Sequence, residues 1–145
     1  MKSNRFNFVA PFYDLLAMLV FGNHLYRAQV YFLEQMPENG RVLIVGGGTG
    51  QILQEAAFSR AAQIDFVELS EKMLSKAKQN GSHLHNIHFL NEDFFQHKGE
   101  YDFIIANFFL DCFDHAHHIK AVEKLRSLCT ASTRILITDF QNSPK

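Results

Sequence analysis

Apolar positions in the first forty residues recur at helical spacing. Phe12, Leu15, Leu16, Leu19 and Val20 share one stripe. Gly22-Asn23 interrupts it. A second helical face then carries Leu25, Ala28, Phe32, Leu33 and Met36, and should stop before Pro37. Pro37-Glu38-Asn39-Gly40 is a turn cluster. From Arg41 the period changes, and short continuous apolar runs alternate with helical patterns. Val42–Val45, Ile64–Val67, Ile87–Leu90, Phe103–Ala106 and Arg134–Thr138 read as five strands. Between them, helices should carry Ile52, Leu53, Ala56 and Ala57 inward, then Met73, Leu74 and Ala77, then Ile119, Val122, Leu125 and Leu128. Ser70 and Asp114 are suited to cap the second and third of these, and Asn80-Gly81 to end the second. Apolar strands with no polar alternation, separated by helices, predict a parallel sheet covered on both faces. The expected fold is α/β and doubly wound. Residues 1–40 would form a helical cap and residues 41–145 the sheet domain.

Composition narrows what such a domain can do. The 145 residues hold 14 Lys+Arg against 15 Asp+Glu, a net charge of -1, and 47% are apolar, including 15 Phe. That apolar share excludes a disordered chain. The charge balance excludes a general electrostatic grip on nucleic acid. Cys112 and Cys129 stand 17 positions apart, outside any CxxC pairing, and read as two buried reduced thiols. Met1-Lys2 leads into no secretory signal pattern. The most membrane-like run, Phe8–Phe21, holds Pro11 and Asp14 and falls short of the roughly 20 apolar residues a span needs. A cytoplasmic protein with no membrane span is expected.

The candidate chemistry gathers at the ends of the predicted strands. Val45-Gly46-Gly47-Gly48-Thr49-Gly50 leaves the first strand for a predicted helix. Glycines there allow positive φ and close backbone approach, and a helix start would add free N–H groups. The spacing does not fit the dinucleotide pattern G-x-G-x-x-G, because counting from Gly46 puts Gln51 in the third glycine position. It fits G-x-G-x-G at Gly46, Gly48 and Gly50. Glu68 ends the second strand 18 residues after Gly50, where an acid can accept both hydroxyls of a ribose. Asp93-Phe94 follows the third strand, where an acid and a ring could take an adenine. The histidines at 83, 85 and 88, and at 115, 117 and 118, lack the i, i+4 spacing of helical ligand pairs, so no metal is expected.

In order along the chain, VLIVGGGTG, Glu68, Asp93-Phe94 and the fourth strand resemble the class I S-adenosylmethionine-dependent methyltransferases, over about Arg41 to Phe140. Phe12-Tyr13-Asp14 with Gly22 is similar to the entry helices of the ubiquinone/menaquinone-biosynthesis type. The resemblance implies a Rossmann-like sheet in the order 3-2-1-4-5 and S-adenosylmethionine as cofactor. It implies Gly46, Gly47, Gly48 and Gly50 beneath the methionine part and Glu68 on the ribose. Leu69 and Met73 would flank the adenine, Asp93 would accept from its amino group, and Phe94 would lie beside it. Asn107 would face the methionine or sulfonium end, and Tyr13 would close the site. The sequence departs from the family at Ile44, where an acid is common, and it stops soon after the fifth strand, without the usual sixth and seventh. Asp111 and His115 are the best-placed general bases, should the acceptor have to lose a proton. Phe94, Phe95, Phe108, Phe109 and Phe113 read mostly as core, and those that line a pocket would favour a small apolar acceptor; Ala106-Asn107-Phe108-Phe109 lacks the prolines of the D/N-P-P-aromatic motif of base-modifying enzymes. The leading expectation is methyl transfer to a small molecule. A cofactor-binding module or regulatory subunit without turnover remains open, as does a nicotinamide-binding oxidoreductase. The fifth strand should lie at an open sheet edge and could pair two copies.

Overall fold

The computed structural model describes residues 23–139. The first predicted helix and Tyr13 lie outside the described residues. Five strands form one sheet: β1 (Arg41–Val45), β2 (Gln63–Val67), β3 (Ile87–Leu90), β4 (Tyr101–Asn107) and β5 (Cys129–Thr138). Their spatial order is β3-β2-β1-β4-β5, and every neighbouring pair is parallel. This is the order the resemblance implies.

Alternation along the strands divides the interior in two. Val42, Ile44, Ile64, Phe66, Phe103 and Ile105 face one core. Helix α1 (Asn23–Val30) packs there through Tyr26 and Val30, and α2 (Glu71–Asn80) through Leu74 and Ala77. Leu43, Val45, Val67, Ile104 and Ala106 face the other core, under α3 (His115–Ser127) with Ala121 and Leu125. Both faces are covered, which is why these strands tolerate no polar alternation. Ser70 and Asp114 cap as expected: the Met73 N–H donates to Ser70 Oγ at 3.3 Å, and the His117 N–H to Asp114 Oδ1 at 2.8 Å.

Four elements differ from the sequence reading. The second helical face is not continuous: α1 stops at Val30, a 3-10 turn spans Leu33–Gln35, and Phe32 is exposed while Leu33 and Met36 are buried. No α-helix follows the glycine turn. Two 3-10 turns, Gln51–Gln54 and Ala56–Arg60, meet at Glu55, whose backbone is extended. The Tyr26 hydroxyl donates to Glu55 Oε1 at 2.6 Å, so a tertiary bond overrides the helix preference of the alanines that follow. On α3 the inward face is Ala121 and Leu125, with Leu128 just beyond, whereas Ile119 and Val122 are exposed. β5 starts five residues earlier than expected, because a register shift between Tyr101 and Phe103 lets Cys129 pair with Tyr101 and Arg134 with Phe103. Among the described strands β5 does lie at the sheet edge, with Ile137 half exposed. Both cysteines are free and half-buried rather than fully buried.

One buried polar chain crosses the second core. The Tyr101 hydroxyl donates to Asp65 Oδ2 at 2.6 Å, and His97 Nε2 meets the same hydroxyl at 2.6 Å. With the phenolic proton on Asp65, the His97 ring must donate at Nε2. His97 Nδ1 faces Glu92 Oε1, which ties the loop after β3 to the start of β4. Burial opposes charge on Asp65, but hydrogen bonds from Tyr101, Gln63 and His88 outweigh it and hold the carboxyl below its usual range. A depressed carboxyl stabilises the fold above its unfolded pKa of about 4 and loses that contribution as pH falls. Tyr101→Phe should therefore cost about 1–3 kcal/mol in urea unfolding at pH 7. The loss of stability below pH 4 should also be shallower than in the wild type. A variant as stable as the wild type, with the same acid limb, would refute this account of the chain.

Candidate functional site

In a parallel sheet all strand C-termini reach the same edge, and the loops leaving them face one crevice. Here that edge carries Gly46–Gly50, Glu68–Ser70, Asn91–Phe94, Asn107–Phe113 and Asp139. Gly46, Gly48 and Gly50 all have left-handed backbones, with φ of 57, 61 and 68°. A side chain at Gly50 would also stand 3.0 Å from the Ala77 and Leu53 side chains. The turn leaves Gly50 as the cap of a four-residue 3-10 turn, so it does not offer the free N–H groups of a full α-helix start.

The turn is braced by Glu68, which is buried at 5% exposure. Its Oε1 accepts from the Gly48 N–H at 3.0 Å, and its Oε2 from the Ser70 N–H at 3.2 Å. Burial pushes the Glu68 carboxyl up, and the backbone N–H groups of Ser70, Gly48 and Leu69 pull it partly back. A carboxylate offers about four lone-pair sites, so acceptor capacity remains beyond these contacts. Leu69 beside it is 46% exposed, whereas Met73 is buried. Asn91 was not singled out from sequence. Its Nδ2 donates to the Glu68 and Leu69 carbonyls, both at 3.0 Å, and so fixes the end of β2. Its position directly after the third predicted strand was the available signal.

Asp93 caps the 3-10 turn Phe94–Gln96 by accepting from the Phe95 N–H at 3.0 Å. The Phe94 ring turns into the second core, edge-on to Phe109 at 5.0 Å between centroids. Phe109 and Phe113 pack the same way at 5.0 Å, and Phe95 joins Phe113 at 5.6 Å. Phe109 also lies on the glycine turn: a Cβ at Gly46 would fall 2.5 Å from its ring.

The end of β4 is strained. Phe108 has φ 52°, a left-handed conformation costing a bulky residue about 1–3 kcal/mol. It is held by burial, by its N–H donating to the Thr138 carbonyl at 2.5 Å, and by the Cys112 thiol at its own carbonyl at 3.3 Å. Beside it, Asn107 Oδ1 and Nδ2 are shielded from solvent and have no hydrogen-bond partner, and the same holds for Asp139 Oδ1. Buried polar atoms are nearly always paired, so these three mark where a polar ligand would be accommodated. Burial, with Asp111 adding repulsion, pushes the Asp139 carboxyl up to about 6, against a hydrogen bond from the Asp111 backbone. Asp139 was missed from sequence, although it directly follows the fifth predicted strand. Of the two candidate bases, Asp111 is exposed on the turn Leu110–Cys112, and His115 is exposed at the first position of α3. Among the described residues no group of three or more His, Cys, Asp or Glu is gathered at metal-binding distance. No described helix is long and apolar enough to cross a membrane.

A search of curated protein sequences finds no match. The family model for a methyltransferase domain matches residues 43–135, well over half of the chain. Solved structures share the fold. A complex of DhpI with SAM and HEP superimposes with a TM-score of 0.76 at 19% identity, over 97% of this chain and 66% of that one. Phosphoethanolamine N-methyltransferase 1 of Haemonchus contortus, bound to phosphoethanolamine and S-adenosylhomocysteine, gives 0.69 at 16% identity, over 79% of this chain and 26% of that one. Magnesium protoporphyrin IX methyltransferase from Synechocystis, with SAM bound, gives 0.62 at 23% identity, over 73% of this chain and 54% of that one. The chain thus spans between about a quarter and two thirds of the length of these structures. The match over residues 43–135, on a sheet of this order, places the chain in the family of class I S-adenosylmethionine-dependent methyltransferases.

Proposed function

We propose that the chain binds S-adenosylmethionine at the C-terminal edge of its sheet and directs methyl transfer to a small, apolar acceptor. The observation that carries this is the buried Glu68 carboxylate, joined to the Gly48 N–H in the middle of the left-handed glycine turn. It brings an acceptor for ribose hydroxyls against a backbone that a ligand can approach closely. In this reading Glu68 takes the ribose, Leu69 and Met73 flank the adenine, and Asp93 accepts from its amino group. Gly46, Gly47, Gly48 and Gly50 underlie the methionine part, where the Phe109 ring now covers Gly46. Asn107 supplies a donor and an acceptor at the reactive end.

When bound, the cofactor supplies an electrophilic methyl carbon on a sulfonium. The protein's task is then to orient the partners and exclude water. Phe95, Phe109 and Phe113, backed by the buried Phe94, would provide the apolar wall for that, and it suits an acceptor with an apolar body. The free thiols of Cys112 and Cys129 agree with a reducing compartment such as the cytoplasm. The related structures are named for unlike acceptors, a phosphoethanolamine in one and a magnesium porphyrin in another, so they do not choose one for this chain.

Calorimetry with S-adenosylmethionine, S-adenosylhomocysteine and NADH tests the reading. The first two should bind and NADH should not. Binding of NADH alone would overturn it. Binding of S-adenosylhomocysteine with no methylation across an acceptor panel would favour a module without turnover. Glu68→Ala should weaken S-adenosylhomocysteine binding by about 1.5–3 kcal/mol, the worth of hydrogen bonds to a charged group. Unchanged affinity would show that Glu68 does not hold the ribose.

A further inference from the structure

Three unpartnered polar atoms belong to the neighbouring ends of β4 and β5. Asn107 pairs in register with Thr138, one strand spacing of about 4.8 Å away, and Asp139 is the residue that follows Thr138. The Asn107 amide has neither of its hydrogen bonds, and Asp139 Oδ1 has none. The Asp111 backbone N–H is the donor that reaches the Asp139 carboxylate. The strained Phe108 and its bond to the Thr138 carbonyl hold the two strand ends in this relation.

The charges around this place are of one sign. The groups that act on Asp139 and on the adjacent Cys112 are Asp111 from the turn after β4, Asp139 itself, and Glu68 from the end of β2. No described basic group is among them. The same field pushes the Cys112 thiol up to about 11, chiefly through burial and then through Asp111, Asp139 and Glu68. A shielded acceptor oxygen in a negative field gains more from a cation than from a neutral group of the same shape.

Resting on the cofactor reading above, we propose that Asp139, with Asn107 beside it, reads the charge of the bound cofactor and favours the methylated sulfonium over the demethylated thioether. On transfer, a lone pair of the acceptor would form the new bond to the methyl carbon as the S–CH3 bond breaks, and the sulfur would keep the electron pair of the broken bond. The sulfonium charge would then disappear from the cofactor, and with it that part of the attraction to Asp139. The residue therefore sets specificity between loaded and spent cofactor and eases release of the product.

Asp139 titrates within reach of experiment. With its carboxyl at about 6, it is mostly neutral at pH 5 and mostly ionised at pH 8. The ratio of S-adenosylhomocysteine to S-adenosylmethionine dissociation constants should rise about tenfold between those limits, a Coulombic preference of the size expected in a partly hydrated site. Titration calorimetry on the full chain reads this directly, without an acceptor. In Asp139→Asn the ratio should be flat with pH. A thermal melt checks that the variant is folded, and the wild-type pH trend is a test independent of it. A flat wild-type ratio, or a trend that persists in Asp139→Asn, overturns the proposal. Failure of the wild type to bind either ligand overturns the cofactor reading itself, and is distinct from both.

Discussion

A buried carboxylate bridging two strand ends sets the geometry of everything at the sheet's C-terminal edge. Glu68 is removed from water and accepts N–H groups from Gly48 on one side and Ser70 on the other. Taking an acid into the interior is costly unless its oxygens are satisfied. Here the satisfying donors belong to the backbone, so the cost fixes the main chain. The glycine turn cannot relax without stripping Glu68 of a partner, and Asn91 pins the carbonyls of Glu68 and Leu69 from the next strand. Three left-handed glycines are consistent with such a constraint, since any other residue there would add strain to a backbone that is not free to adjust.

Two other acids show how position in the same sheet decides protonation. Asp65 is at the middle of β2 and meets Tyr101, Gln63 and His88, so it is held ionised despite burial. Asp139 is at the end of β5, with one oxygen unpartnered and Asp111 as neighbour, so it resists ionisation. The first belongs to a closed chain that runs through His97 to Glu92 and braces the loop carrying Asp93 and Phe94. The second leaves Oδ1 shielded from solvent and without a partner. Completed polar networks rigidify a core, whereas incomplete ones mark where a ligand is received.

The sheet was legible in the sequence because burial on both faces leaves a plain record. Val42–Val45 and Ile64–Val67 are unbroken apolar runs at the positions where β1 and β2 form. The strand-end residues Gly46, Glu68, Asp93 and Asn107 were legible for the same reason, since locating the strands locates their ends. What was not legible depended on contacts distant in sequence. The residues after Gly50 have the composition of a helix, but the Tyr26 hydroxyl holds Glu55 extended from 29 positions away. On α3 every third residue from Ile119 to Leu128 is apolar, yet the sheet takes Ala121 in place of Ile119 and Val122. Phe94 carries the chemistry to cover a ring, and only its packing against Phe109 shows that it turns into the core. Asp139 also follows a predicted strand, but the resemblance assigns no role at the end of the fifth strand, and its unpartnered oxygen shows only in the fold. Its significance lies in what does not touch it.

The phenylalanines link these features. Phe108 bears the strain at the end of β4, and Phe109, the next residue, rests its ring on Gly46. The same short segment therefore separates the glycine turn from the Asn107–Asp139 pair. A ligand settling on Gly46 would have to move or share the Phe109 ring, which also contacts Phe94 and Phe113. That ring cannot move alone in a packed cluster, because displacing it exposes or repacks its neighbours. Its motion would carry to the turn Leu110–Cys112, where the Phe109 carbonyl accepts from the Cys112 N–H and where the Asp111 N–H holds Asp139. The glycine turn and Asp139 are in this way in contact with one segment, Phe108–Cys112, whose first residue is already held away from its relaxed backbone.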